Sequence, residues 1–209
     1  MTDGIIFDVD GTLWDSTDVV AIGYNLGLEG FTDYTVRVDG SRLKQLFGKP
    51  MDQIFRELLP DAPADECAFL ADKCMELEEI EIEKADPAPM LYDGIEEMLR
   101  ILSASYPLFI VSNCQCGYIE QFLRKTGFGR YITAHLCFGQ TKTTKGRTIL
   151  RLMRENGLTS PVYVGDTRGD QEACREAGIP FVFAEYGFGE VTDPDYRIAS
   201  PMALTELPL

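Results

Sequence analysis

Two carboxylates, two residues apart, close the first apolar run of the chain in Asp8-Val9-Asp10-Gly11-Thr12-Leu13. Two more close a later run in Gly165-Asp166-Thr167-Arg168-Gly169-Asp170. Ser112-Asn113 ends another run with a hydroxyl and an amide, and Lys142 and Lys145 precede a helical pattern. In an open α/β sheet, ligands bind beyond the carboxyl ends of the strands. If these runs are parallel strands of one sheet, the four aspartates converge. At ~4 Å and an effective dielectric of ~20, each like-charge pair costs roughly 4 kcal/mol. Either some are protonated or a cation lies among them. An all-oxygen set with few protein ligands suits Mg2+, which keeps several waters and bridges to phosphate oxygens. Mg2+ with one lysine makes a positive pocket in a chain whose formal net charge is -15.

Each piece alone has a plainer explanation. A D-x-D is common in surface loops, and Asp170 stands where it would cap the following helix. Ser112-Asn113 alone is turn chemistry, and a loop lysine is usually solvated. The weight comes from the order: every piece stands at the end of an expected strand or just beyond it.

The expected strands are Gly4–Val9, Leu108–Ser112, Leu136–Phe138, Val162–Gly165 and Phe181–Ala184. They are short apolar runs of the kind buried on both faces. Between the later ones, Asp93–Ser103, Tyr118–Thr126, Gly146–Asn156 and Asp170–Ala177 repeat apolar residues at helical spacing. Gly127, Gly157 and Gly178 sit just past three of these helices, where helix C-termini favour glycine. The alternation predicts a doubly wound, five-stranded parallel α/β core of Rossmann-like form.

The 71 residues Ser16 to Asp86 break the alternation and contain no convincing strand. They predict about four helices, with Ser16 as N-cap of the first. The last, Ala64–Lys84, aligns Cys67, Leu70, Cys74 and Leu77 on one stripe and Glu76, Glu79 and Glu83 on the other face. Asp86-Pro87-Ala88-Pro89 reads as a stiff hinge. The expected organisation is a discontinuous core, residues 1–15 and 87–209, with a helical cap over 16–86. The insertion holds 16 acidic and 7 basic side chains, so most of the net charge is there. A solvated face explains its glutamates better than a binding role.

A net charge of -15 with pI ≈ 4.4 opposes binding to nucleic acid or anionic membrane. No apolar run reaches the ~20 residues that span a bilayer. The first residues lack the pattern of a signal peptide, and the six cysteines show no disulfide framework, so the expected location is the cytoplasm with thiols reduced. Cys114 and Cys116 form a C-x-C with no partner pair for zinc.

Taken together, Asp8-Val9-Asp10-Gly11-Thr12-Leu13-Trp14-Asp15-Ser16 resembles the first motif of the haloacid dehalogenase superfamily. Ser112-Asn113 resembles the second motif, Lys145 the third and Gly165–Asp170 the fourth. The resemblance covers essentially the whole chain, α-helical cap included, and is nearest to the phosphoglycolate phosphatase-like members. It implies a phosphatase that hydrolyses a small phosphorylated metabolite, with a phosphomutase or pyrophosphatase of the same superfamily as alternatives and, behind them, a non-catalytic phosphate-binding regulatory protein. It also implies roles. Asp8 attacks phosphorus and forms an aspartyl-phosphate. Asp10 protonates the leaving alcohol and then deprotonates the water. Asp8, the Asp10 carbonyl and Asp166 hold Mg2+, while Asp170 acts on the metal through a water or orients the lysine. Thr12, Ser112, Asn113 and Lys145 meet the phosphoryl oxygens. An acid at Asp10 points away from dehalogenation, whose leaving halide needs no proton.

Lys142 competes with Lys145 for the third motif; Lys145 is favoured because it abuts a helix N-terminus. Lys49, in the loop Phe47-Gly48-Lys49-Pro50-Met51, is a candidate for a substrate carboxylate or second phosphate, and equally a solvated helix-start lysine. Met51 stands near where a mutase of this type presents arginine. Trp14 and Tyr24 are candidates to line the entrance, although aromatics there more often pack in a core. Rival readings lack their signatures. A phospho-receiver is shorter and places its acceptor on a later strand. A dinucleotide site needs a glycine-rich first turn, where Asp stands here. A serine hydrolase needs G-x-S-x-G and a placed histidine, and the single histidine, His135, precedes an expected strand.

Overall fold

The computed structural model describes residues 2–32 and 34–209. Met1 and Asp33, which fall in the expected core and insertion, lie outside the described residues. In chain order the elements are β1 (Ile5–Phe7), α1 (Thr17–Phe31), α2 (Gly40–Lys44), α3 (Met51–Leu58), α4 (Ala64–Lys84), α5 (Ile95–Leu102), β2 (Leu108–Ser112), α6 (Tyr118–Thr126), β3 (Ile132–Cys137), α7 (Phe138–Thr141), α8 (Lys145–Asn156), β4 (Val162–Gly165), α9 (Arg168–Ala177), β5 (Phe181–Ala184) and β6 (Tyr196–Ile198). The chain forms two compact units, Met1–Asp15 with Leu91–Leu209, and Ser16–Met90. The second division falls four residues beyond the expected one, because Ala88–Met90 make a 3-10 turn whose Met90 is buried.

The first unit holds one parallel sheet in the order β3-β2-β1-β4-β5-β6. Its strands β1, β2, β4 and β5 are buried at every position, as continuous apolar runs require. Ile6, Phe109, Val111 and Tyr163 face a cluster completed by Ile149 and Leu152 of α8 and Ala173 and Cys174 of α9. Strand side chains alternate, so Ile5, Phe7, Ile110 and Val164 project the other way. They too are 0% exposed, so both faces are covered.

Three expectations change. The sheet has six strands, not five, since β6 adds an edge on which only Ile198 is buried. β3 starts at Ile132 instead of Leu136 and therefore contains His135, opposite Ile110. α9 starts at Arg168, which puts Asp170 inside the first helical turn instead of before it.

In the second unit, α1 and α4 pack closely at Gly23 and Gly27. A Cβ at Gly27 would lie 2.5 Å from Cys74 Sγ, and one at Gly23 would lie 2.6 Å from the Glu78 nitrogen. The buried stripe of α4 runs through Cys67, Leu70 and Cys74 as expected, but continues through Glu78 and Ile82; Leu77 is only half-buried. Ser16 holds the N-cap position of α1 without a side-chain capping bond, whereas Asp39 caps α2 by accepting from the Arg42 amide at 2.8 Å.

Candidate active site

Register explains why the motif residues meet. Phe7 pairs with Ile110 of β2 and with Val164 of β4. The next residue, Asp8, therefore leaves the sheet beside Val111 and Gly165, and its amide donates to the Val164 carbonyl at 2.9 Å. Ser112-Asn113 and Asp166 follow directly on the two flanking strands. Gly11 then turns the chain at φ +79°, and a Cβ there would lie 2.1 Å from Asp166 Oδ2. Only glycine satisfies both demands.

Asp8, Asp166 and Asp170 each offer an oxygen within 4.8 Å of the others, and all three are buried. Lys145 Nζ lies 2.9 Å from Asp8 Oδ2 and 2.6 Å from Asp170 Oδ1, with its own side chain only 4% exposed. Lys142 is not part of this group. It stands at φ +51° with its ammonium 5.4 Å from the Phe138 ring. Lys145 reaches the carboxylates because it opens α8, whose N-cap Thr144 donates its hydroxyl to Glu176 of α9 at 2.8 Å.

The two carboxylates that grip Lys145 differ. Asp170 Oδ2 accepts from the Thr167 amide at 2.9 Å and the Thr167 hydroxyl at 2.6 Å, closing a capping box on α9. Its Oδ1 takes Lys145 and, at 3.3 Å, the Tyr163 hydroxyl. Asp170 is thus both helix cap and lysine holder. Burial pushes its pKa up, but the Lys145 ammonium and the hydrogen bonds from Lys145 and Thr167 leave it below the ordinary value. Asp8 has Lys145 on Oδ2 only; Oδ1 is buried with no hydrogen-bond partner. Burial, reinforced by Asp170, holds Asp8 above its ordinary pKa in spite of Lys145. Asp166 is raised well above, by burial and by the charges of Asp170 and Asp8. Lys145 loses charge stability by burial and regains more from Asp170 and Asp8, so it stays protonated.

This donor set fits Mg2+. A carboxylate oxygen without a partner in a buried site has an unmet requirement for positive charge. Three buried carboxylates face one ammonium, and all candidate ligand atoms are oxygen.

The other expected residues fall as follows. Thr12 is fully buried; its hydroxyl donates to Asp166 Oδ1 at 3.3 Å, so it braces a carboxylate. Ser112 is buried at the end of β2, and Asn113 follows it. The Asp10 carboxylate lies outside the three-oxygen group and accepts from Trp14 and Tyr118 instead. Lys49 belongs to the helical unit, where its ammonium sits 2.7 and 2.8 Å from the Glu57 oxygens. Tyr24 is buried in the same unit, its hydroxyl on Met51 Sδ at 3.0 Å.

Several site residues carried no motif. Tyr163 is one: its hydroxyl ties the Val111 carbonyl to Asp170. A tyrosine inside a fully buried strand must place its hydroxyl on an acceptor, which was the available signal. The Phe188 amide donates to Asp166 Oδ2 at 2.8 Å, and a Cβ on Gly187 would meet Asp166 Cβ at 2.3 Å. That loop follows β5 and its role is invisible without the sheet order.

Three comparisons with known proteins bear on this site. The sequence pattern described as haloacid dehalogenase-like hydrolase matches residues 5–184. A phosphoglycolate phosphatase from Synechococcus elongatus is 28% identical over 213 residues, covering 97% of this chain and 95% of that protein. The phosphoglycolate phosphatase of Escherichia coli strain K12 is 24% identical, covering 91% and 84%. Among solved structures, a haloacid dehalogenase-like family hydrolase from Streptococcus pneumoniae superposes with a TM-score of 0.85 at 21% identity, covering 98% of this chain and 97% of that one. CbbY from Rhodobacter sphaeroides, solved in complex with phosphate, superposes at 0.81 with 17% identity, covering 98% and 96%. At those identities the superpositions speak to fold alone.

Proposed function

The chain belongs to the haloacid dehalogenase-like hydrolases, and from that premise we propose a cytoplasmic, Mg2+-dependent phosphatase that hydrolyses a small phosphomonoester through an aspartyl-phosphate on Asp8. The observation that carries the reading is the asymmetry of Asp8: one oxygen held by Lys145, the other buried and unpartnered beside Asp166 and Asp170. A carboxylate fixed at one oxygen and bare at the other is oriented for attack and for a cation.

Asp8, the Asp10 carbonyl, Asp166 and Asp170 would hold Mg2+. When bound, the ion supplies positive charge against the phosphoryl oxygens and against the carboxylates themselves. Asp8 attacks phosphorus, and the bond to the leaving oxygen breaks as Asp10 gives that oxygen a proton. Asp10, now a carboxylate, takes a proton from water; the water oxygen bonds to phosphorus, the Asp8–phosphorus bond breaks, and inorganic phosphate leaves. Lys145, the Ser112 hydroxyl and the Asn113 amide meet the non-bridging oxygens. Asp170 and Tyr163 keep Lys145 charged and aimed. Relatives named phosphoglycolate phosphatase, matched over more than nine-tenths of the chain, support a small phosphorylated carboxylate as substrate.

A panel of phosphoglycolate, sugar phosphates, nucleoside monophosphates and pyrophosphate, assayed for phosphate release, tests this. Release that requires Mg2+, stops with EDTA and is lost in Asp8→Asn is the expected result. Undiminished release from the variant, or none from any ester, overturns the reading.

A further inference from the structure

One oxygen of the Asp10 carboxylate receives two neutral donors. Trp14 Nε1 donates to Oδ1 at 3.0 Å, and the Tyr118 hydroxyl donates to the same atom at 2.6 Å. The donors come from distant parts of the chain. Trp14 lies in the loop of Asp10 itself, while Tyr118 opens α6, 108 residues further on. Trp14 is fully buried and Tyr118 is 5% exposed. Their rings meet edge to face at 6.0 Å, and Phe122 supports the indole at 4.9 Å. The backbone holds the indole as well: the Gly11 amide donates to the Trp14 carbonyl at 2.8 Å.

Packing alone would not demand this pattern, since phenylalanine fills the same space. A buried indole N–H and a buried phenol each need an acceptor. Here both converge on one carboxylate oxygen, and a short phenol–carboxylate bond is among the stronger kinds. With both acceptor positions of Oδ1 taken by these donors, a proton carried by Asp10 belongs on the other oxygen.

We propose that Tyr118, braced by Trp14, is a positioning residue that fixes Oδ1 of Asp10 as the acceptor oxygen and Oδ2 as the oxygen that delivers and retrieves the proton. The inference rests on Asp10 being the general acid–base. In the first step Oδ2 gives its proton to the bridging oxygen, which leaves with the electrons of its bond to phosphorus. In the second, Oδ2 takes the proton of the attacking water. Tyr118 and Trp14 keep their own protons throughout, and their bonds to Oδ1 strengthen as negative charge forms on Asp10.

The test compares kcat/KM on a series of monoesters, from p-nitrophenyl phosphate to an alkyl phosphate, for the Mg2+-loaded wild type, Tyr118→Phe and Asp10→Asn. A positioned acid matters most where the leaving group is poor. Tyr118→Phe is expected to lose about tenfold or more on the alkyl ester and under about threefold on p-nitrophenyl phosphate. An equal loss on both esters means a merely structural hydroxyl and overturns the proposal. Asp10→Asn separates the two failures. A steep leaving-group dependence in Asp10→Asn beside a flat one in Tyr118→Phe removes only the positioning role. A flat dependence in Asp10→Asn removes the general-acid assignment itself.

Discussion

The α/β unit and the helical unit put their carboxylates to opposite uses. In the first, Asp8, Asp166 and Asp170 are buried against Lys145, and a threonine, a tyrosine and a backbone amide are bent to serve them. In the second, Glu76, Glu79 and Glu83 stand exposed, and the interior is Val20, Tyr24, Leu28, Leu70, Cys74 and Ile82. A buried carboxylate costs folding free energy unless charge or hydrogen bonds compensate it. The α/β unit accepts that cost at one point, where it serves chemistry. The helical unit turns every described acid but Glu78 at least partly to solvent, where the charges cost little. Substitutions should therefore divide the two units cleanly, with activity lost without stability in one and stability lost first in the other.

The largest effect belongs to Asp8→Asn. Removing the nucleophile should lower kcat by on the order of 10^4 or more. The fold should survive, because burial already disfavours the charge of Asp8 in the folded state. Thermal melting is expected at or above the wild-type Tm. A variant that melts well below wild type would mean that Asp8 supports the fold, and the contrast between the units would fail.

Leu70→Ala probes the other side. Leu70 is 0% exposed in α4, and truncating such a side chain leaves a cavity costing about 2–5 kcal/mol. Denaturant unfolding should show that loss, while the ion pair of Lys145 with Asp8 and Asp170 lies in the other unit and is untouched. A cost below about 1 kcal/mol would show a helical interior that repacks freely.

How far each unit was legible follows from the same physics. β1, β2, β4 and β5 announce themselves because burial on both faces leaves uninterrupted apolar runs. β6 does not: it is a three-residue edge strand, and Asp195 before it is used to accept the Phe181 amide. The aspartates stand out because motif and strand end coincide. Tyr118, Tyr163 and the Phe188 amide stand out in nothing, since each meets its carboxylate only through sheet order and helix placement. The start of α9 did carry a signal, Thr167 with Asp170 three residues on, which is a capping box with aspartate in place of glutamate.

Metal binding sharpens the comparison by a smaller step. Mg2+ at ~100 times its Kd should stabilise the folded wild type by about 2.7 kcal/mol. Asp166→Asn should abolish most of that rise in Tm. The pH dependence has a definite sign. Asp166 and Asp8 have raised pKa values in the folded chain, so their contribution is fully present below the ordinary carboxylate value of ~3.9 and is lost as pH rises through the raised values. Asp170, held low, contributes the reverse and loses stability only as pH falls through its own depressed value. In EDTA, Tm should therefore decline as pH climbs above ~3.9, and saturating Mg2+ should remove the decline. A metal-free Tm that is flat over that range would show that the carboxylates are compensated without a cation.

The smallest effect is spectroscopic, and it sets two thiols against each other. Cys137 ends β3, where a hydrogen bond from Cys114 and the amides of Gln140 and Gly139 outweigh burial and bring its pKa down to about 7. Cys74 lies in α4, where burial and the charge of Glu78 push it up to about 12. Both are free thiols. The difference is again one of surroundings: Cys137 meets donors at a strand exit of the α/β unit, and at Cys74 burial dominates. Thiolate absorbance in the ultraviolet should show a group titrating with a midpoint near 7 that disappears in Cys137→Ser and persists in Cys74→Ser. The linked stability is present above the ordinary thiol value and lost as pH falls through about 7, so Cys137→Ser should flatten Tm against pH in that window. If no thiolate forms below the ordinary ~8.5, the strand exits of the α/β unit stabilise anions only where Lys145 stands, and the contrast between the units narrows to the carboxylate site alone.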